Sequence, residues 1–256
     1  EGNVGAGTGA SLGKLFGLPR AMKGGIGSAS LRAHGVTLHP QDGSGVTRAD
    51  QTVIATGAIE ETVPDIGAAR RAGATIKTRP ELLSELFNAA PTSVGVAGTS
   101  GKSTITGMIA WILDQAGRDP TVVNGAVMKN FADADHPFAS ALIGDPTLFV
   151  SEVDESDGSI ARYDPTVAVV SNISLDHKSM EELRSLFGGF LAAGRQAIVN
   201  ADSAEALALA PPEALTYGLG KGKLRATAIK ERPDGVDFKA GGTKVSLAVP
   251  GRHNVS

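Results

Sequence analysis

The sequence has no cysteine, which excludes disulfide bridges and thiolate metal sites but leaves the redox compartment open. No apolar run approaches the ~20 residues that a membrane-spanning helix needs. Positive charge is not in excess either: the net charge is -3 and the pI is near 6.0, and no local basic patch is visible. We therefore expect neither nucleic acid nor a membrane as a partner. No basic-then-apolar leader follows Glu1, and the expected location is the cytoplasm.

The composition is typical of a globular protein that acts on small molecules. Of the 256 residues, 41% are hydrophobic and 20% are charged, which suffices for one large or two modest domains. The 33 glycines are concentrated near the start of the chain, where they predict loops and turns.

From about Gln51, short β-branched runs alternate with helical stretches, a pattern typical of a parallel sheet with crossover helices. Strands are expected at 52–55, 74–77, 93–97, 121–123, 147–151, 167–171 and 197–199. Helices are expected at 65–71, 79–90 and 102–115, and after Ser179, which forms a capping box with Glu182. The fold class is therefore α/β, a doubly wound parallel sheet. After Tyr217, alternating segments predict a small antiparallel appendage, at 223–230, 236–239 and 244–249.

A glycine loop between a predicted strand and a predicted helix carries the strongest functional signal. It consists of Gly98, Thr99, Ser100, Gly101, Lys102, Ser103 and Thr104. Such a loop turns backbone N–H groups towards phosphate oxygens, and the helix N-terminus adds positive potential. Lys102 can then reach the terminal phosphates of ATP, and the Ser103 hydroxyl can bind Mg²⁺. The Walker A spacing is incomplete, because its first glycine falls on Val96 and Gly95 is one place too early. An ordinary glycine turn before a helix is the alternative.

Acidic residues follow the strand predicted at 147–151. They are Glu152, Asp154, Glu155 and Asp157. Ligands of doubly wound sheets bind beyond the carboxyl ends of the strands, so a carboxylate here can face the phosphate loop. Mg²⁺ prefers oxygen ligands, and Glu152 is the best-placed candidate. We expect one or two of these carboxylates to bind metal and the rest to be solvated; a wholly solvated loop is the alternative.

Polar residues also follow the strand predicted at 167–171, among them Asn172 and His177. A histidine at this edge can bind a second Mg²⁺ or contact the γ-phosphate. By itself, a histidine after a strand is more often a helix cap or a surface residue. The convergence of three strand ends on one edge favours the functional interpretation.

Four stretches together resemble the Mur ligases in order and spacing, namely residues 97–104, 152–157, 170–177 and 250–255. The Glu-x-Asp-Glu-Ser-Asp string of the second stretch is most similar to the alanine-adding members and their muropeptide-ligase relatives. Residues 55–59 and 79–83 also look like the end of the UDP-binding first domain of that family. The resemblance covers about 31–256, and the combination is more specific than any single motif.

The resemblance implies an ATP-dependent amide ligase of peptidoglycan precursor synthesis. In that reaction ATP phosphorylates the carboxylate of UDP-N-acetylmuramate or a related acid, and an amino acid's amine attacks the acyl phosphate. Lys102 would stabilise the transferring phosphoryl group. Ser103 and Glu152 would hold one Mg²⁺, and His177 would hold a second.

The resemblance also implies a domain division and roles for two asparagines. Asn254 would contact the adenine, and Asn172 would shape the floor of the site. The expected segments are a glycine-rich foreign segment at 1–30, a partial Rossmann-like UDP-binding domain at 31–90, a central P-loop domain at 91–249 and the start of a third domain at 250–256.

Some residues depart from the family pattern. The alanine-adding members usually carry histidine where this chain has Ser100, and a further acid where it has Lys178 and Ser179, so the amino acid and the acceptor stay open. Because the sequence stops at Ser256, a few residues into the expected third domain, we expect an incomplete ligase. A non-catalytic ATP-binding fragment is the alternative.

Residues 1–30 resemble a different family, the self-cleaving L-aminopeptidase/D-esterases, in their glycine-rich stretches at 1–9 and 23–30. The nucleophilic serine of that family follows a junction that this sequence does not contain. We therefore expect a fusion with its seam near residue 30 and a glycine-rich arm before it. An aminopeptidase fragment is the remaining alternative.

Overall fold

A computed structural model describes residues 39–40, 42–55, 62–133, 139–176 and 178–256, and the backbone of two short antiparallel strands, β1 (Ser11–Leu12) and β2 (Met22–Lys23). The chain divides into two compact units. The first holds the described residues up to Leu86 together with Val122–Ile143; the second holds Phe87–Thr121 and Gly144–Ser256. The predicted segments at 1–30, 31–90, 91–249 and 250–256 stay a prediction.

The helices and strands follow the predicted alternation closely. The further strands are β3 (Thr52–Ala55), β4 (Thr75–Thr78), β5 (Thr92–Ala97), β6 (Pro120–Val123), β7 (Ala141–Leu142), β8 (Asp145–Glu152), β9 (Val167–Val170), β10 (Gln196–Asn200), β11 (Leu215–Gly218), β12 (Leu224–Arg232), β13 (Gly235–Ala240) and β14 (Thr243–Leu247). The α-helices are α1 (Pro64–Ala72), α2 (Arg79–Ala89), α3 (Lys102–Gln115), α4 (Met180–Ala193) and α5 (Ala204–Ala208). Within the described residues, no helix has the length and apolarity that a bilayer crossing demands.

In the first unit, β3, α1 and β4 form a β-α-β segment whose strands pair in parallel, with Val53 opposite Ile76. Pro64 opens α1, a position where its missing N–H has no helical partner. Gly73 ends the helix with a left-handed φ of 71°, which glycine adopts without steric strain. β6 and β7 pair antiparallel through residues of the same unit, with Val122 opposite Leu142.

One sheet organises the second unit, with its strands in the order β14-β13-β12-β11-β10-β9-β5-β8. The pairs from β12 to β8 are all parallel. β5 has β8 on one side and β9 on the other, so the chain reverses its direction of winding at β5. The predicted doubly wound parallel sheet is confirmed, and its winding places a ligand crevice at the carboxyl end of β5.

Helix α4 shows how the sheet is covered. The predicted capping box is present: Ser179 Oγ accepts from Glu182 N–H at 3.2 Å, and the Glu182 carboxylate accepts from Ser179 N–H at 3.0 Å. The helix buries Leu183, Phe187 and Phe190, and burial of each such side chain stabilises the fold by about 2 kcal/mol.

The antiparallel strands after Gly218 are present as predicted. β12 pairs with β13 and β13 with β14, both antiparallel. β12 lies parallel to β11, with Tyr217 opposite Leu224, so the hairpins extend the main sheet. β11 itself had not been predicted, and its short Leu-Thr-Tyr-Gly sequence gives only a weak strand pattern.

Candidate nucleotide-binding site

Pairing register brings the carboxyl ends of three strands together. Glu152, the last residue of β8, pairs with Val96 of β5, and Val170, the last residue of β9, pairs with Ala97. The residues that leave these strands therefore emerge side by side. This confirms that the glycine loop, the acidic stretch and the beginning of the 170–177 stretch meet at one edge.

Two glycines shape the loop between β5 and α3. Gly98 has a φ of 145°, and a Cβ on it would lie 2.2 Å from Ser171 Oγ. Gly101 has a φ of 83°, but a Cβ there would meet nothing within 4 Å. Gly98 is thus packed closely against Ser171 and Asn172, which follow β9, whereas Gly101 borders open space. An open, positively polarised turn at a helix N-terminus fits a phosphate group.

The incomplete Walker A spacing has a structural reason. Val96, which stands where that motif has glycine, is a fully buried residue of β5. The neighbouring Gly95 serves packing, because a Cβ on it would lie 2.9 Å from Phe190 Cζ of α4. The strand therefore continues up to Ala97, and the turn around the ligand begins at Gly98.

Asn172 holds the loop against β9. Its Oδ1 accepts from Ser100 N–H at 3.0 Å, and its Nδ2 donates to Ser100 O at 2.7 Å. Its backbone carbonyl accepts from Thr99 N–H at 2.9 Å. Thr99 Oγ1 in turn donates to Ser174 O at 3.2 Å and accepts from Ser174 N–H at 3.0 Å. Asn172 therefore holds the loop through three hydrogen bonds, and its role at the floor of the site stays a prediction.

Ser103 and Glu152, the two residues predicted to share a Mg²⁺, are in contact. Ser103 Oγ donates to Glu152 Oε2 at 2.7 Å. A hydroxyl and a carboxylate this close form an oxygen pair that suits a hard divalent cation. In the described part of the chain, no three His, Asp or Glu side chains cluster as a metal site would require. The further predicted ligand, His177, lies outside the described residues, so the metal site stays a prediction.

Lys102 is paired with a carboxylate that the sequence did not single out. Its Nζ lies 3.0 Å from Glu155 Oε2, and the two side chains are only 15% and 7% exposed. Asp154 and Asp157, by contrast, are exposed. Each accepts a hydrogen bond from a residue two positions further along the chain, Ser156 and Ser159 respectively. The acidic stretch thus contains two inward and two outward carboxylates.

A cleft of about 590 Å³ runs from the glycine loop along the carboxyl edge of the sheet. Its lining includes Ser100, Gly101, Thr104, Ile105, Met108, Asn172, Asn200, Asp202, Ser203, His253 and Asn254. The predicted adenine contact Asn254 therefore shares one cleft with the phosphate loop. Its Nδ2 donates to Pro250 O at 2.8 Å, which leaves its Oδ1 as an acceptor for an amino group.

The far end of the cleft contains polar residues that the sequence analysis missed. Asn200 Nδ2 donates to Ser256 Oγ, and Ser256 Oγ donates to Asp202 Oδ2, both at 3.1 Å. Asp202 Oδ2 also accepts from Leu219 N–H at 2.6 Å. Burial, with a smaller contribution from the Asp202 charge, raises the pKa of Tyr217 to about 12. Asn200 ends β10 and Asp202 follows it, so the strand-end rule used for Glu152 could have identified them.

The amino-acid sequence has relatives among known proteins. The family profile of the Mur ligase middle domain matches residues 96–256. The UDP-N-acetylmuramate–L-alanine ligase of Novosphingobium aromaticivorans is 35% identical over 227 residues, which cover 79% of this chain and 46% of that protein. The ligase of the same name from an Arthrobacter species is 35% identical over 241 residues, 88% of this chain and 50% of its own. The chain spans about half the length of the curated relatives it matches.

Solved structures share the fold. The UDP-N-acetylmuramate-alanine ligase of Thermotoga maritima superposes with a TM-score of 0.67 at 24% identity, covering 80% of this chain and 48% of its own. The MurF ligase of the same organism, solved in complex with ADP, gives a TM-score of 0.55 at 19% identity, covering 81% and 58%.

The outcome for the resemblance of residues 1–30 differs from the outcome for the Mur ligases. These comparisons give no support to a kinship of residues 1–30 with the L-aminopeptidase/D-esterases, and those side chains lie outside the described residues. The profile match from Val96 onward covers more than half of the sequence and includes the glycine loop, Glu152 and Asn254. On that match and on the sequence identities of its relatives, the chain belongs to the Mur ligase family.

Proposed function

We propose that the protein supplies the ATP-binding centre of an amide ligase that makes a peptidoglycan precursor. The supporting observation is the register of β8, β5 and β9, which gathers Lys102, Ser103 and Glu152 at one glycine loop. The substrates would be ATP, UDP-N-acetylmuramate or a related UDP-sugar carboxylate, and an amino acid. As expected from the sequence, we place the reaction in the cytoplasm, without a nucleic-acid or membrane partner.

The cleft suits a nucleoside triphosphate. The open space at Gly101 would take a phosphate, and Lys102 would meet the terminal phosphates. Asn254, at the wall of the same cleft, would accept a hydrogen bond from the adenine amino group. Gly98, Thr99, Ser100 and Thr104 would complete the contacts around the phosphates. The ADP complex of the Thermotoga maritima MurF ligase is consistent with this assignment.

Ser103 and Glu152 would hold one Mg²⁺, with His177 as the expected ligand of a second. Bound Mg²⁺ would neutralise charge on the phosphates during transfer. In the first step, a carboxylate oxygen of the acceptor attacks the γ-phosphorus, and ADP leaves. In the second, the amine nitrogen attacks the acyl carbon, phosphate leaves, and the amine loses a proton. Lys102 would stabilise negative charge in the first step, while Asn172 keeps the loop in place.

The test measures ADP release when the full protein that the gene encodes is incubated with ATP, UDP-N-acetylmuramate and L-alanine. We expect release that needs all three substrates. ADP release that is independent of the amino acid would refute the ligase assignment, and ATP binding without any release would favour a non-catalytic nucleotide-binding module. His177→Ala should lower turnover more than it lowers ATP affinity; wild-type turnover in that variant would remove His177 from the mechanism.

A further inference from the structure

The ion pair between Lys102 and Glu155 is the starting observation. The atoms lie 3.0 Å apart, and neither side chain is more than 15% exposed. Glu155 lies in the loop after β8, three residues beyond Glu152, whereas Lys102 and Ser103 open α3. The same two segments thus meet twice, through Ser103 with Glu152 and through Lys102 with Glu155.

These two contacts differ in what a nucleotide would do to them. A cation between Ser103 and Glu152 is compatible with both side chains. A phosphate at Lys102 is an anion, and it would approach an ammonium that already has a buried anionic partner. Two anions near one cation repel each other, and the repulsion is strong where water is excluded. Either the phosphate displaces the Glu155 carboxylate, or both remain and repel.

We propose that Glu155 is a specificity-determining counter-ion, which competes with the nucleotide's terminal phosphates for Lys102. This inference rests on the proposed function, since it takes the glycine loop to be an ATP site. When the phosphates of a nucleotide reach Lys102, their attraction to its ammonium group compensates for the loss of the Lys102–Glu155 ion pair. AMP has no β- or γ-phosphate, the groups that a loop lysine of this kind contacts, so it leaves the Lys102–Glu155 pair intact. Glu155 therefore lowers the affinity for ATP without lowering the affinity for AMP.

The test replaces Glu155 with glutamine, which keeps the shape and removes the charge. Calorimetric titration of the 256-residue chain with ATP and with AMP gives the two dissociation constants. We expect Glu155→Gln to bind ATP about tenfold more tightly, because coupling between close charges is commonly of this size or larger. AMP affinity should change by less than about twofold, since the pair is not disturbed by that ligand.

Asp154→Asn is the matched control. It removes a carboxylate from the same loop, but Asp154 is exposed and bonds only to Ser156. If general repulsion of nucleotides by the acidic loop were the cause, this variant would tighten ATP binding as much as Glu155→Gln. We expect a change of less than about twofold, as for a screened surface charge.

The possible outcomes are distinct. Unchanged or weaker ATP binding by Glu155→Gln overturns the inference, and so does equal tightening of ATP and AMP. If Glu155→Gln does not fold, Glu155→Asp serves instead, because a shorter carboxylate loosens the contact with Lys102; it should tighten ATP binding in the same direction, and an unchanged ATP-to-AMP ratio overturns the inference. Failure of the wild-type chain to bind ATP would refute the nucleotide site itself.

Discussion

The glycine loop and the far end of the cleft beside it differ in charge. At the loop end, Lys102 pairs with Glu155, and Ser103 donates to Glu152. At the far end, the Asp202 carboxylate accepts from neutral donors, Ser256 Oγ and Leu219 N–H, and Asn200 donates to Ser256 Oγ. A cation such as Lys102 attracts an anionic phosphate, whereas a carboxylate such as Asp202 repels one. We therefore expect the loop end to supply affinity for phosphates and the far end to supply shape for the base.

The largest effect is expected when the loop end loses its cation. Lys102→Ala leaves Glu155 buried without its counter-charge, so the free energy of unfolding should fall by about 3 kcal/mol. ATP affinity should fall on the order of 100-fold, because a charge-assisted phosphate contact is lost. Chemical denaturation and calorimetric titration measure the two effects. The double variant Lys102→Ala, Glu155→Ala should regain most of the stability but not the affinity; wild-type ATP affinity in either variant would contradict the assignment.

The second-largest effect is expected from a change in the shape of the glycine loop. A methyl group on Gly98 would collide with Ser171 Oγ and would occupy a φ of 145°, so Gly98→Ala should destabilise the protein by about 2 kcal/mol and weaken ATP binding. Gly101→Ala is the control, since that site has open space and only a strained φ of 83°; about 1 kcal/mol is expected. Thermal unfolding without ATP compares the stability of the two variants, and calorimetric titration measures the ATP affinity of Gly98→Ala against the wild type. Equal losses of stability for both variants would show that the packing of Gly98 against Ser171 is unimportant.

A third change isolates the far end. Asn254→Ala should weaken ATP binding by about tenfold through the loss of an adenine contact. Binding of inorganic tripolyphosphate, which carries no base, should remain as in the wild type. Competition titrations with both ligands provide the comparison. If tripolyphosphate binding falls as much as ATP binding, the division between the two ends is wrong.

The smallest effect concerns Tyr217, near Asp202. Its pKa is raised to about 12, so the neutral phenol stabilises the fold fully below the ordinary tyrosine pKa of about 10. This stabilisation is lost as the pH rises from about 10 to about 12, because the unfolded chain releases its proton first. Relative to Tyr217→Phe, the wild type should lose about 1 kcal/mol of unfolding free energy by pH 11. Urea denaturation of both proteins at pH 8 and pH 11 tests this; an equal loss of unfolding free energy in the wild type and in Tyr217→Phe would contradict the raised pKa of Tyr217.

Sequence patterns predicted the parts of the site that depend on strand ends. Glu152 ends β8 and Asn172 follows β9, and the parallel sheet carries both to the edge where the loop lies. Glu155 could be placed in the acidic stretch but not paired with Lys102, because the path of a loop decides which carboxylate turns inward. The alternation of β12 predicts its antiparallel pairing with β13, but it says nothing about its other neighbour, which is β11.

The hydrogen bonds between Asn172 and the loop determine which backbone N–H groups can face a ligand. Ser100 N–H and Thr99 N–H both donate to Asn172, so these amides face the sheet before any nucleotide arrives. The first hydrogen bond within α3 runs from Ile105 N–H to Gly101 O, and the earlier amides of the helix point along its axis. We therefore expect an anion to lie against the backbone N–H groups from Gly101 onward. The loop is held to the sheet at one end and continues into α3 at the other. Its shape is therefore fixed before a ligand binds.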